Sequence, residues 1–172
     1  LLFEQKKLDT AGYIIENIQT MPNKFLCMNG DLLLDVDLEN FIDSARSCTN
    51  SLIGSFEVEN PSRFGIADVL DGNIKKITEK PKEPKSNLAV TGIYLLTPVI
   101  FEIIDNLKPS WRNELEITDA LDELLKNNDN ISFEKITDYW KDTGTPEDII
   151  HANGEIIGKM LKYSEKEMKD HI

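Results

Sequence analysis

Cysteine is scarce, with only Cys27 and Cys48 among 172 residues. Neither has a second cysteine or a histidine at metal-ligand spacing. That excludes a zinc ribbon or a disulfide framework, and reduced thiols are expected. Histidine is as sparse: His151 and His171 are the only two, both in a C-terminal helical stretch where they read as surface residues. Positive charge is in deficit, 19 basic residues against 31 acidic ones, for a net charge of −12. A chain this acidic lacks the basic stripe that a phosphate backbone requires, so no nucleic-acid partner is expected. A small phosphorylated ligand is not excluded, because it needs only a few local cations, a metal and backbone N–H groups. No apolar run approaches the roughly 20 residues that span a bilayer, and no signal peptide is recognised. No membrane partner and a cytoplasmic location are therefore expected.

What is present is ordinary for a globular domain: 40% hydrophobic and 29% charged residues. The chain opens on Leu1-Leu2-Phe3, which reads as the inside of a strand, so the start of a longer protein is expected upstream. Apolar runs predict strands over 24–28, 51–58, 64–70, 73–78, 89–96 and 131–136. Helical spacing predicts helices over 10–20, 37–45, from Pro98 to Leu107, over 117–125 and from Pro146 towards Lys159. Asp71-Gly72-Asn73 between two strands reads as a hairpin turn. Alternating strands and helices with one internal hairpin predict an α/β fold, with a mixed, mostly parallel Rossmann-like sheet and helices on both faces. The main domain is expected over 1–150, with a helical extension over 151–172.

The chemistry-bearing residues stand where apolar runs stop. Asp31 follows Asn29-Gly30 after the first strand, and Asp142 lies in Tyr139-Trp140-Lys141-Asp142-Thr143-Gly144 after the last. Carboxylates at strand ends beside glycine suit a divalent cation held against phosphates; each alone is as well explained as a turn acid. Glu79-Lys80-Pro81 offers a carboxylate for sugar hydroxyls and a point charge for a phosphate, or a surface ion pair. Gly65 inside a strand marks a close-approaching ligand or a bulge. Trp140 offers a flat face to a pyranose ring or fills a core. Asp35-Val36-Asp37 has the spelling of a glycosyltransferase metal motif but leads into a predicted helix, and is assigned to capping.

Together FLCMNGD (25–31), NPSRFGIA (60–67), ITEKPKEPKSNLAVTGIYLLTP (77–98), LKPSWRNELEITDAL (107–121) and DYWKDTGTPEDI (138–149) resemble the sugar nucleotidyltransferases. The nearest group is the glucose-1-phosphate thymidylyltransferases, including their longer archaeal and bacterial relatives. The resemblance implies that Asp31 and Asp142 hold Mg2+ between the phosphates and that Lys80 contacts the sugar phosphate. Gly65, Glu79, Val90 and Trp140 would line the sugar pocket, Tyr94 would stand near the sugar phosphate, and Thr10 with Ala11-Gly12 would touch base and sugar. Arg112 and Glu114 take a supporting role. The implied reaction moves a nucleoside monophosphate from a nucleoside triphosphate, dTTP or UTP, to a sugar 1-phosphate such as glucose 1-phosphate, releasing pyrophosphate. Homo-oligomers are possible partners.

Two departures qualify the resemblance. Asp9 stands where the family usually has a glycine against the nucleobase. The glycine-rich loop with its arginine, and the lysine after it, are not found in the 172 residues; the first βα units of the fold are expected to be missing. Four of the nine glycines, at 30, 65, 92 and 144, fall in the sugar-side motifs instead. Weak or no activity is therefore expected of these residues alone, because backbone N–H groups and cations of that loop would grip the triphosphate. The alternative is a catalytically inert, nucleotidyltransferase-like regulatory or assembly subunit. Retained Asp31, Lys80 and Asp142 argue against it.

Overall fold

The computed structural model describes residues 23–35, 38–127, 130–137 and 139–170, without the side chains of 35 and 163–170. Its strands are β1 (Phe25–Met28), β2 (Leu32–Asp35), β3 (Ser51–Glu57), β4 (Gly65–Leu70), β5 (Asn73–Glu79), β6 (Leu88–Leu96), β7 (Ile131–Lys135) and β8 (Tyr139–Asp142). Its helices are α1 (Leu38–Ser47), α2 (Val99–Asn106), α3 (Ile117–Lys126) and α4 (Pro146–Asp170), with a 3-10 turn at Pro61–Arg63. The described residues fall into two compact units, the first within 1–29 and 37–137, the second within 30–36 and 138–172.

The first unit is a sheet in the order β5-β4-β6-β3-β7, with β1 pairing β6 as well. β6 is its centre: all nine of its residues are buried, which is why it reads as a continuous apolar run rather than an alternation. β3 and β7 pair in parallel, whereas β1 and β3 meet β6 antiparallel and β4 and β5 form an antiparallel hairpin. The mixed α/β class is as expected, but among the described strands the antiparallel pairs outnumber the one parallel pair. The reason is local. Asp71 and Gly72 both take positive φ, 53° and 74°, the geometry of a two-residue turn, so β5 folds straight back on β4.

Helices cover both faces. Leu88, Val90, Tyr94 and Leu96 of β6 and Ile53 of β3 share one core with Ile100, Phe101 and Ile104 of α2 and Ile117, Leu121 and Leu124 of α3. Each such side chain contributes about 1.5–3 kcal/mol when fully buried. Phe101 stacks on Phe25 with ring centroids 5.4 Å apart. Asp122 of α3 ties helix to sheet, its carboxylate accepting the Ile77 N–H at 2.9 Å. On β7, Ile131 and Phe133 join this core. The alternate residues meet α1: the Ser44 hydroxyl donates to Glu134 at 3.0 Å, and Cys48 Sγ lies 3.4 Å from Ser132 Oγ. Both cysteines are free thiols, and burial pushes the Cys27 thiol pKa up, as expected of an inert packed thiol.

The second unit pairs β2 with β8 as a two-stranded antiparallel ribbon, followed by α4. No strand was expected at Leu32–Asp35, and the stretch from Tyr139 was expected to follow the last strand rather than to be one. Asp35 ends β2, while Asp37 and the predicted helix over 10–20 lie outside the described residues. α4 starts as its sequence predicts. Thr145 Oγ1 accepts the Asp148 N–H at 3.2 Å and donates to the Asp148 carboxylate at 2.7 Å, a reciprocal cap with proline in the first turn. The helix runs on to Asp170, so the expected boundary between 150 and 151 falls inside it.

Candidate active site

The candidate residues gather in two groups, one in each unit. The first begins with the β4–β5 hairpin, whose register sets Gly65 directly opposite Glu79. Val90 follows Ala89, which pairs with Ile66, so the same register carries Val90 alongside them. Above this rung stands the first turn of α3. The Thr118 hydroxyl donates to Glu79 Oε2 at 2.8 Å. A Cβ at residue 65 would lie 2.5 Å from the Thr118 methyl and 3.0 Å from Glu79 Oε2, so the position requires glycine. Neither sequence reading of Gly65, a close-approaching ligand or a bulge, describes what the structure has there: the register shift of β4 falls at Asp68–Val69 instead. The approaching group is the protein's own threonine and carboxylate.

Glu79 Oε1 lies 3.7 Å from both Lys80 Nζ and Arg112 Nη1. Arg112 belongs to a loop that knits itself together. Its Nη2 meets Glu114 at 2.6 Å, its Nη1 meets the buried Glu116 at 3.3 Å, and the Ser110 hydroxyl donates to Glu116 at 2.9 Å. The resemblance runs through LKPSWRNELEITDAL (107–121), yet the sequence alone assigns no role to Ser110, Glu116 or Thr118. The signal available was a Glu-x-Glu-x-Thr run entering a helix.

Lys80 is exposed, and its backbone is unusual: φ is +40°, and its N–H donates to the Phe64 carbonyl at 3.0 Å. A left-handed conformation costs a residue with a Cβ about 1–2 kcal/mol. Pro81 follows, and a residue before proline is pushed towards extended conformations instead. Strain of this kind persists where the surroundings over-determine it, commonly at functional positions. Tyr94 is buried in the α2–α3 core on the same strand as Val90, opposite Cys27 and Ile53.

The second group lies on the β2–β8 ribbon. Leu32 pairs with Asp142 and Leu34 with the buried Trp140. One step beyond, the Thr143 N–H and hydroxyl both donate to the Asp31 carbonyl, at 2.9 and 2.7 Å. Asp31 and Asp142 therefore occupy adjacent rungs at one end of the ribbon. Asp31 is exposed in a turn, beyond the pleat that would fix its side chain. Asp142 Oδ1 accepts the Gly144 N–H at 2.9 Å, which folds the chain closely around that carboxylate. Lys141 pairs with Asp148 at 2.7 Å and fastens the ribbon to α4. No group of three or more His, Cys, Asp or Glu side chains among the described residues could hold a metal. Carboxylate oxygens such as those of Asp31 and Asp142 are the donor type that Mg2+ takes. Thr10 lies outside the described residues.

The nucleotidyl transferase family profile matches residues 1–158. The chain belongs to the nucleotidyl transferase family. Among relatives of this nucleotidyl transferase chain, the low-salt glycan biosynthesis nucleotidyltransferase Agl11 of Haloferax volcanii is 46% identical over 141 residues, covering 80% of this chain and 40% of the relative. A glucose-1-phosphate thymidylyltransferase of Streptomyces antibioticus is 37% identical, covering 80% of this chain and 38% of the relative. The solved structure of an apo UDP-glucose pyrophosphorylase superposes with a TM-score of 0.79 at 30% identity, covering 91% of this chain and 62% of that one. The chain thus spans about 40% of the length of the curated relatives it matches. No helix among the described residues is long and apolar enough to cross a membrane.

Proposed function

We propose that the chain carries the sugar-phosphate and cation side of a sugar nucleotidyltransferase. The protein would move a nucleoside monophosphate from dTTP or UTP to a sugar 1-phosphate, glucose 1-phosphate first among them, and release pyrophosphate in the cytoplasm. The observation that carries the reading is the β2–β8 ladder, extended by the Thr143–Asp31 hydrogen bonds, which sets the backbones of Asp31 and Asp142 one rung apart although they lie far apart in sequence. The names of the relatives, a thymidylyltransferase and a UDP-glucose pyrophosphorylase, support dTTP and UTP as donors.

In this reading Asp31 and Asp142 would hold Mg2+. When bound, the cation would neutralise charge building on the phosphates during in-line displacement. Lys80 would steady the sugar phosphate, the nucleophile. Glu79, held by Thr118 and Arg112, would accept hydrogen bonds from sugar hydroxyls. The family resemblance assigns Gly65 and Val90 to the sugar pocket, where Gly65 would act by leaving room for Thr118 and Glu79; it assigns Trp140 a sugar-facing role as well. Tyr94 would stand near the phosphate. A sugar phosphate is already ionised at neutral pH, so no dedicated general base is needed. The protein's contribution is position and charge.

Calorimetric titration of this chain with glucose 1-phosphate and MgCl2 tests the reading. Saturable binding that Asp142→Asn weakens is expected. No binding with or without MgCl2 would sink it in favour of an inert, assembly-type relative. Weak or no turnover is expected of these residues alone, and recovery of turnover is expected on supplying a glycine-rich triphosphate loop.

A further inference from the structure

Glu79 faces two cations through a single oxygen, and the two are held in different ways. Arg112 is anchored independently of Glu79: Glu114 at 2.6 Å on Nη2 and the buried Glu116 at 3.3 Å on Nη1. The loop behind it is closed by hydrogen bonds from Ser110 N to Glu114 O at 2.8 Å, from Asn113 N to Ser110 O at 2.8 Å, and from Arg112 N to Ser110 Oγ at 3.1 Å. Lys80 and Arg112 both stand 3.7 Å from Glu79, but the Lys80 side chain is the more exposed, 39% against 28%, and it is the guanidinium that Glu114 and Glu116 hold in place. A half-exposed pair such as that of Lys80 is weak. One cation is fixed and the other can leave.

We infer that Arg112 is a positioning residue: it carries the standing counter-charge of Glu79 and so releases Lys80 to turn towards the phosphate of a sugar phosphate. This rests on the reading of Lys80 given above. Without Arg112 the half-buried Glu79 carboxylate would be left to Lys80 alone. Drawing Lys80 away would then strand a partly desolvated charge, which is costly. With Arg112 in place, Glu79 keeps a partner throughout. Three carboxylates around one guanidinium also leave Arg112 poorly suited to meet a dianionic phosphate itself.

Two double-substitution cycles decide the matter. The first is read by thermal unfolding of the ligand-free chain, pairing Glu79→Gln with Arg112→Gln and, separately, with Lys80→Gln. The Arg112–Glu79 coupling is expected to exceed the Lys80–Glu79 coupling; equal or reversed couplings overturn the inference. The second is read by titration with glucose 1-phosphate. Arg112→Gln is expected to weaken binding roughly tenfold while Glu79 is present, and to cost little in the Glu79→Gln background. Arg112→Lys, which keeps the charge, should restore most of the affinity. An equal loss in both backgrounds would mean that Arg112 meets the phosphate directly, and the inference falls. Failure of the parent chain to bind glucose 1-phosphate would sink the proposed function, and the ligand-free cycle would still decide the role of Arg112.

Discussion

The two groups of candidate residues are built on opposite plans. Around Glu79 side chains interlock: Thr118 and Arg112 hold Glu79, and Glu114 and Glu116 hold Arg112, beside a glycine with no room for a Cβ. Around Asp31 and Asp142, a strand ladder, the Thr143 contacts to the Asp31 carbonyl and one N–H on the Asp142 carboxylate each involve the backbone. The first group is rigid because its side chains interlock, so altering one disturbs fold and chemistry together. The second is positioned by main chain, so its carboxylates can be altered with the fold intact. A pocket for a neutral ring profits from being prebuilt.

Four substitutions break or sharpen that contrast. The largest effect is expected of Asp142→Asn: wherever sugar 1-phosphate turnover is measured, it falls roughly a hundredfold or more in steady-state kinetics, while thermal unfolding shifts by no more than about 0.5 kcal/mol. Unchanged kinetics would remove Asp142 from the cation site. Next, Gly65→Ala should destabilise by about 1–3 kcal/mol in denaturant titration, because a Cβ must push the Thr118 methyl out of its place. A neutral result there would show that the Glu79 group is looser than the Asp142 group, reversing the comparison.

Lys80→Gly should raise stability by about 1 kcal/mol through relief of the left-handed backbone, and should weaken glucose 1-phosphate binding. Lys80→Ala should weaken binding without the gain. If the two variants unfold alike, strain is not what the position carries. The smallest effect belongs to Asp119, one residue beyond Thr118 on α3. Burial, and then the Asp122 carboxylate, push its carboxyl up from 3.8, against an opposing pull from Lys126. A carboxyl with a raised folded pKa contributes stability that is present below its unfolded pKa and is lost as pH rises through the folded pKa. Asp119→Asn should therefore be more stable at pH 7 by about 0.5 kcal/mol or less. The gain should close on acidification below 3.8; a gain independent of pH would point to packing instead.

Local patterns carried most of the first unit. The buried run of β6, the Asp71-Gly72 turn and the apolar faces of α2 and α3 are each set within ten residues of sequence, and each was legible there. The ribbon was not. Leu32–Asp35 is four residues long, its alternation is hidden in a leucine run, and its partner lies more than a hundred residues away. Nothing local encodes that pairing. The sequence reading attaches Asp31 and Asp142 each to a preceding strand, whereas Asp31 directly precedes β2 and Asp142 ends β8, the two strands of one ribbon. Arg112 and Glu114 were noticed, whereas the Glu116 anchor and the Thr118 lid over Gly65 depend on a loop meeting a sheet. Such contacts are visible only once the chain is folded.

Because the Asp31–Asp142 spacing is kept by main-chain rungs, the ribbon acts as a ruler whose graduations are strand positions. Inserting a single residue between Asp31 and Leu32 would leave every side chain of β8 untouched. It would still move the first acid off its mark by one graduation. With Leu32 opposite Asp142 and Leu34 opposite Trp140, a one-residue slip of either strand would displace the acid it carries relative to the other.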